Sequence, residues 1–317
     1  MTAWDQVVEL LSSPLMQRAL LAAILVGAAA PVVGTFLVQR RMALMGDGIG
    51  HVALTGVALG WLVGSWAGLV PQDTLALPGA VVAAVVGSIV IELVRERGRT
   101  SGDLALALMF YGGIAGGVLL IKLAGGTNAN LISYLFGSIS TVSSADLWWT
   151  VGLAVLVLTL GVGLRTALFA VSHDEEFARA SGLPVRLLSM LVATIAALTV
   201  TIAMRVVGLL LVSALMIVPV AIAQLFARSF GRTMMLASVV GVVVSIAGLV
   251  LTYWQDIPPG ATIVVLAILV YAVTATLQPL LRRPAPPRDP HPDMVDDVLL
   301  VDDVTDDGPL SRPAPTA

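Results

Sequence analysis

Long apolar runs, separated by short polar breaks, dominate the pattern of residues along this chain. Nine runs are long enough to cross a membrane, whose hydrocarbon core of roughly 30 Å requires about 20 apolar residues per helix. They cover residues 15–38, 43–67, 77–94, 103–123, 146–169, 186–204, 207–226, 233–253 and 261–281. The pattern therefore predicts an all-α, polytopic integral membrane protein with about nine transmembrane helices.

The composition supports this fold class and excludes others. Of the 317 residues, 58% are hydrophobic and 12% are charged, and the mean hydropathy is +0.97. Soluble domains carry about 25% charged residues, so this chain cannot cover a water-facing surface. There are no cysteines, which excludes disulfides and thiolate metal sites. The soluble enzyme classes are therefore excluded.

Basic side chains orient the predicted helices, because cytoplasmic loops of membrane proteins are enriched in them. With the N-terminus outside and the C-terminus in the cytoplasm, twelve basic side chains lie on the cytoplasmic side and three lie outside. The cytoplasmic group is Arg40, Arg41, Arg95, Arg97, Arg99, Arg165, Arg179, Arg186, Arg228, Arg232, Arg282 and Arg283, and the outer group is Arg18, Lys122 and Arg205. We therefore expect this orientation.

The chain divides into a membrane domain at 1–283 and a tail at 284–317. The tail holds eight aspartates against two arginines, is rich in proline and shows no sustained periodicity. Such a composition predicts a disordered, acidic, cytoplasmic segment. The alternative is metal buffering by its aspartates and His291.

One pair of ionisable side chains lies within a predicted span, where an ionisable group is costly and requires an explanation. Asp47 and His51 are four residues apart and share one helix face, which Thr55 continues. A carboxylate and an imidazole suit a transient site for zinc, manganese or iron(II). The alternative is a structural hydrogen bond between the two side chains. If two copies of the chain pack around an axis, their four groups could converge.

Small residues and prolines predict where the helices pack and bend. Glycines recur every four residues along the second span and in two pairs along the fourth, which lets neighbouring helices approach closely. They are Gly56, Gly60, Gly64 and Gly68, then Gly112, Gly113, Gly116 and Gly117. Pro219 should kink the seventh span, either to line a pathway or to pack. The broken apolar stretch at 128–140 predicts a short or re-entrant helix.

A short polar segment between the fifth and sixth spans has helix signals of its own. Three acids precede a short run that a Gly-Leu-Pro sequence stops, which predicts an amphipathic helix on the cytoplasmic face. The alternative is a solvated loop. The segment consists of Asp174, Glu175, Glu176, Phe177, Ala178, Arg179, Ala180, Ser181 and Gly182.

Catalytic motifs are absent from the sequence. It contains no G-x-x-x-x-G-K-[ST] loop to hold ATP phosphates and no H-E-x-x-H zinc-protease motif. We therefore expect no catalytic residue and no enzymatic activity of the chain's own.

Four segments in order resemble the membrane permease subunits of ABC-type zinc, manganese and iron uptake systems (the metal ABC-3 family), and most closely the zinc permeases. They are residues 31–60 with GTFLVQRRMALMGDGIGHVALTGVALG, SYLFGSIS at 133–140, DEEFARASGLPVRLL with IAMRVVGLLLVSALMIVPVAIA at 174–223, and PPGATIVVLAILVY at 258–271. The resemblance extends from about Leu15 to Leu281. The sequence departs from it at Ser138, where many relatives have an acid, and in the PVAIA turn.

The resemblance implies a homodimeric permease in the lipid of the cell (plasma or inner) membrane. Two copies of a separate ABC ATPase would bind beneath it, and an extracytoplasmic metal-binding protein would deliver the ions. Segment 174–182 matches the coupling helix that contacts the ATPase, and Asp47 and His51 match the metal pathway. ATP-driven alternating access would then move the metal.

Several expectations follow for ligands and partners. We expect transported Zn²⁺, with Mn²⁺ or Fe²⁺ as alternatives, no permanently bound cofactor and no nucleic-acid partner. One rival class is an ATP-independent cation carrier, and another is a membrane enzyme or scaffold with a structural His–Asp pair. Co-purification of an ATPase would distinguish the permease from both.

Overall fold

The computed structural model describes residues 12–70, 72–97, 102–125, 134–137, 143–253 and 257–281. Within these residues the chain is helical, with turns and no strand, so the predicted all-α fold is confirmed. Residues up to Thr276 form one compact unit, and a second unit begins at Leu277. The acidic tail predicted at 284–317 lies outside the described residues.

Eleven α-helices lie in the described part of the chain. They are α1 (Pro14–Gln39), α2 (Met45–Trp66), α3 (Ala76–Arg97), α4 (Gly102–Leu123), α5 (Ser144–Gly163), α6 (Arg165–His173), α7 (Glu175–Ala180), α8 (Val185–Val207), α9 (Leu209–Phe226), α10 (Phe230–Tyr253) and α11 (Pro259–Leu281). All except α6 and α7 are long and apolar enough to cross a membrane, which gives the nine predicted spans.

The fifth predicted span is the one whose boundaries differ most from the structure. The apolar pattern predicts one helix at 146–169, but α5 ends at Gly163 and a separate helix, α6, begins at Arg165. Glycine weakens a helix by about 1 kcal/mol relative to alanine, and the charged Arg165 lies two positions after Gly163. The chain therefore turns at Leu164, and the last predicted turn of the span belongs to α6.

The sixth and seventh spans form a tight helical hairpin that turns at Gly208. This residue has φ 89° and ψ 152°, a conformation that glycine adopts at little cost. A Cβ at this position would lie 2.4 Å from the backbone of Phe136, so the space also requires glycine. Residues 134–136 are helical and contact this hairpin, whereas the rest of the predicted stretch at 128–140 lies outside the described residues.

Helices α1, α2 and α8 are the most buried of the nine described spans. In the apolar 18-residue stretch that qualifies each helix as a span, 72% of α1 and 67% of α2 is buried, but only 17% of α11. α1 packs against α5, α8, α9 and α10, and α2 packs against α3 and α4. This arrangement places the second helix, which carries the predicted metal pair, between two close neighbours.

Glycines allow α2 to approach its neighbours closely, as predicted. A Cβ at Gly56 would lie 2.4 Å from the Gly79 carbonyl oxygen of α3, and one at Gly60 would meet the Leu75 carbonyl. On the other side, a Cβ at Gly113 of α4 would lie 2.6 Å from the His51 carbonyl carbon. The second helix is therefore clamped between α3 and α4, with the candidate pair on the α4 side.

Candidate functional site

Asp47 and His51 lie in the first two turns of α2 and face each other. His51 Nε2 is 3.8 Å from Asp47 Oδ1, which is longer than a hydrogen bond. Both side chains belong to the same helix, so a bond between them could not tie two helices together. His51 is buried, whereas Asp47 is partly exposed. We refer to this pair as the α2 site.

Helix α4 holds the imidazole of His51 in place. The Phe110 ring meets the imidazole edge to face, with centroids 4.6 Å apart and an interplanar angle of 84°. The imidazole Nδ1 atom is buried and has no hydrogen-bond partner among the described residues. Packing against an aromatic ring therefore orients the histidine without using a hydrogen bond from its Nδ1 atom to any described residue.

Thr55, which continues the same helix face, has a packing role. Its hydroxyl donates to the Gly113 carbonyl oxygen of α4 at 2.8 Å and lies 3.3 Å from the His51 carbonyl oxygen. The hydroxyl therefore links α2 to α4 rather than extending the ligand set.

A cavity of about 280 Å³ adjoins the α2 site. Asp47 contributes a carboxylate to its wall, and the other lining residues are Leu44, Leu106, Ala107, Phe110 and Tyr111. A water molecule in the liquid takes about 30 Å³, so the cavity can hold a cation with part of its hydration shell. The described residues contain no group of three or more His, Cys, Asp and Glu side chains that could close around a metal. The pair thus offers two ligands and leaves the other positions open.

Sequence reasoning identified the pair but not its surroundings. The aromatic wall formed by Phe110 and Tyr111 was missed, because no local spacing shows which helix faces α2. The signal available in the sequence was the glycine pairs of α4. Of these, Gly113, Gly116 and Gly117 contact α2, whereas a Cβ at Gly112 would meet nothing within 4 Å.

A second group of ionisable side chains lies where α1 and α3 end. Arg40 Nη2 is 3.2 Å from Glu92 Oε1 and 2.7 Å from Glu175 Oε1, and Arg95 Nη2 is 2.7 Å from Glu92 Oε1 and also contacts Glu175. The side chain of Glu92 is fully buried and that of Arg40 is 3% exposed. Ser189 of α8 accepts a further hydrogen bond from Arg40 at 3.0 Å. We call Arg40, Glu92, Arg95 and Glu175 the ionic cluster.

The predicted short helix in the polar segment is present as α7. Asp174 caps it by accepting a hydrogen bond from the Phe177 backbone N–H at 2.9 Å, and Gly182, with φ 79°, follows its end. Ala178 is fully buried against the bundle, whereas Phe177 is 66% exposed. Glu176 and Arg179 are also exposed, so one face of α7 is available to a partner.

The ionic cluster perturbs the carboxyl group of Glu175. Burial of this carboxyl opposes its ionisation, but hydrogen bonds and charges from Arg95 and Arg40 favour it more strongly. The pKa of Glu175 therefore lies below its ordinary value. Glu175 is thus an ionised residue that joins α7 to α1 and α3.

Comparison with known proteins identifies the family. Residues 12–278 match the ABC 3 transport family. The manganese transport system membrane protein MntC of Halalkalibacterium halodurans is 34% identical over 271 residues, which cover 86% of this chain and 90% of the relative. The manganese import system permease protein ScaB of Streptococcus parasanguinis is 33% identical over 268 residues, or 84% and 92% of the two chains.

A solved structure agrees with these relatives. A chain in the structure of PsaBC from Streptococcus pneumoniae in complex with Fab is 31% identical, with a TM-score of 0.75, and the match covers 86% of this chain and 95% of that one. The chain therefore belongs to the ABC 3 transport family and is a multi-pass permease of the plasma membrane. Both sequence relatives are named for manganese, so the expected closeness to zinc permeases is not supported.

Proposed function

We propose that this chain is the permease subunit of an ABC importer whose substrate is Mn²⁺. The assignment of the substrate rests on the names of the relatives. They are called manganese transport or import proteins and match more than four fifths of this chain. Zinc and iron(II) become the alternatives, because an Asp–His pair accommodates all three ions.

In this proposal, Asp47 and His51 contact the ion during its passage. The carboxylate is the hard oxygen ligand that suits manganese, and the buried imidazole supplies a nitrogen. Water and a second copy of the chain would supply the remaining ligands. Two observations support this arrangement. An open cavity lies beside Asp47, and the described residues bring no third His, Cys, Asp or Glu side chain to the pair. A site of two protein ligands releases its ion more readily than a closed site.

The partners follow from the same assignment. An ATPase would bind at the end of the bundle where α7 lies, which would then face the cytoplasm, and a metal-binding protein would deliver Mn²⁺ to the opposite end. The exposed face of α7, with Phe177, Glu176 and Arg179, supports segment 174–182 as the ATPase contact. We propose two copies of both permease and ATPase.

We also propose that Pro219 bends α9 and that this bend bears on the pathway. Pro219 is buried within α9 and lies three residues after Met216. A Cβ at Gly46, the residue before Asp47, would lie 3.2 Å from the Met216 sulfur atom. Movement of α9 at its proline would therefore reach the first turn of α2 through Met216.

Uptake of radiolabelled ions by cells lacking this chain tests the proposal. Complementation with the wild type should restore ⁵⁴Mn uptake, and Asp47→Asn or His51→Ala should each lower it by roughly tenfold or more, since even indirect support of a metal site is worth that much. Asp73→Asn is the matched control, because this acid lies in the 3₁₀ turn at Gln72–Leu75 before α3. Restoration of ⁶⁵Zn uptake alone would refute the manganese assignment and retain the permease.

A further inference from the structure

We propose that Glu175 is a positioning residue that transmits the displacement of α7 to the α2 site. The inference rests on the proposed function, because it assumes that an ATPase moves α7. It adds a route within the permease by which that movement reaches the metal ligands. The route consists of the two arginines that Glu175 contacts and the segments that carry them.

The first step of the route is the attachment of α7 to the bundle. Apart from the buried methyl group of Ala178, the strongest contacts of this six-residue helix run through the carboxylate of Glu175. Its Oε1 atom contacts Arg40 and Arg95, which lie 135 and 80 positions earlier in the chain. Two charge-assisted bonds to two different helices resist sliding in more than one direction.

The second step leads from Arg40 to the metal pair along the backbone. Arg40 caps α1, and α2 begins at Met45, so only a four-residue turn separates the cap from the first turn of α2 that contains Asp47. Arg41 in this turn has φ 59°, a left-handed conformation that is strained for a side chain of this size. A short, strained turn transmits a displacement of Arg40 instead of absorbing it.

The third step leads from Arg95 to the opposite side of α2. Arg95 lies in the last turn of α3, and α3 meets α2 at the glycine contacts of Gly79 with Gly56 and of Ala76 with Gly60. Backbones in direct contact leave no space for one helix to move without the other. A displacement of Glu175 therefore acts on α2 from its N-terminal turn and along its side.

Glu92 joins the two arms of the route. Its carboxylate is fully buried and binds both arginines, so the two remain paired with each other through Glu92 when Glu175 moves. The arginines consequently move as one unit with α7. Without Glu175 they would stay bound to Glu92, and α7 would move without them.

The test measures ATP-driven movement of α2 in the assembled permease–ATPase complex. The chain has no cysteine, so nitroxide labels can be attached at Leu59→Cys, an exposed position of α2 outside the cavity lining, and at Val273→Cys, an exposed position of α11. ATP should change the distance between the labels in the otherwise native complex. In Glu175→Gln, which keeps the shape of the side chain and removes its charge, this change should be lost.

The matched control is Glu96→Gln at the same end of the bundle. It breaks an exposed ion pair in which Arg186 Nε lies 3.4 Å from Glu96 Oε2, and it does not touch α7. This variant should keep the ATP-dependent distance change. In proteoliposomes, Glu175→Gln should hydrolyse ATP while moving at least fivefold fewer Mn²⁺ ions per ATP, and Glu96→Gln should remain within twofold of the unmodified permease.

A further experiment replaces the ion pair between Glu175 and Arg95 with a covalent crosslink and asks whether transport is restored. The double variant Glu175→Cys with Arg95→Cys should be uncoupled, and a short bifunctional thiol crosslinker that spans the two positions should restore the number of ions moved per ATP. An unchanged ratio in Glu175→Gln, or loss of ATPase assembly in that variant, would overturn the proposal, because Glu175 would then be dispensable or an assembly residue. If the native permease moves no Mn²⁺, the proposed substrate fails, and the label distances still decide the role of Glu175.

Discussion

The α2 site and the ionic cluster both place ionisable side chains in an apolar bundle, yet their partners differ. In the ionic cluster each carboxylate lies within bonding distance of two arginines. In the α2 site the two groups are 3.8 Å apart, the imidazole Nδ1 has no partner among the described residues, and a cavity adjoins the carboxylate. The ion pairs of the cluster hold helices together, although Glu92 Oε2, Arg40 Nε and Arg95 Nε also have no hydrogen-bond partner among the described residues. A carboxylate and an imidazole that no arginine neutralises are free to bind a passing cation.

The largest expected effect is a difference in stability: a substitution in the ionic cluster should destabilise the protein far more than one in the α2 site. Glu92→Gln should lower the free energy of unfolding by about 3–5 kcal/mol, because it leaves the buried Arg40 and the partly exposed Arg95 with Glu175 as their one remaining carboxylate partner. Asp47→Asn should change it by less than about 1 kcal/mol, since Asp47 already faces an open cavity. Thermal unfolding in detergent, followed by the fluorescence of the six tryptophans, measures both variants. Equal unfolding midpoints for the two variants would remove the distinction between the regions.

A smaller effect should arise at the contact that holds the histidine. Gly113→Ala adds a methyl group 2.6 Å from the His51 carbonyl carbon, so α2 and α4 must separate. Overpacking of this kind costs about 1–3 kcal/mol, and we expect Mn²⁺ uptake to fall with it as His51 loses its contact with Phe110 of α4.

The neighbouring glycine provides the control for this substitution. Gly112→Ala meets nothing within 4 Å, so it should leave uptake unchanged and should slightly raise the unfolding midpoint through the higher helix propensity of alanine. Both substitutions are scored by the unfolding midpoint and by ⁵⁴Mn uptake. If Gly113→Ala behaved like Gly112→Ala, the packing of α4 would not position the α2 site.

Sequence reasoning predicted the features that depend on neighbours along the chain. Runs of about 20 apolar residues gave nine helices whose ends agree with the structure to within a few residues, except where Gly163 and Arg165 divide the fifth span. The pair of Asp47 and His51 follows from i,i+4 spacing, and the cap of α7 follows from the acids before Phe177. Periodicity and capping are local properties, so one sequence is sufficient to predict them.

The features that sequence reasoning missed depend on which helices meet. The contacts of Arg40 with Glu92 and Glu175 join residues 52 and 135 positions apart, and the contact of Phe110 with His51 joins α4 to α2. A general expectation was available, because a buried charge requires a partner. It does not identify the partner among the acids at the ends of the spans. The proposed preference for manganese could not be predicted from the pair either, since its two ligand types suit several ions.

The smallest expected effect is the dependence on pH of the attachment of α7, which is held to the ionic cluster through Glu175. The groups that face the Glu175 carboxyl are Arg95 on α3, Arg40 on α1 and, through the same arginines, Glu92, with Ser189 of α8 beside Arg40. Because the pKa of Glu175 is lower in the folded protein, its ion pairs contribute fully to stability above the unfolded pKa of about 4.3 and are lost as the pH falls through the lower folded value.

A nitroxide at Arg179→Cys should therefore show the same mobility at pH 7 and at pH 5.5, and α7 should loosen only below that range. In Arg95→Gln, which removes one of the two cations, loosening should begin at a higher pH than in the parent. Loosening of the parent between pH 7 and pH 5.5 would mean that the arginines do not hold the carboxylate in its ionised form, and that α7 is attached mainly by the packing of Ala178.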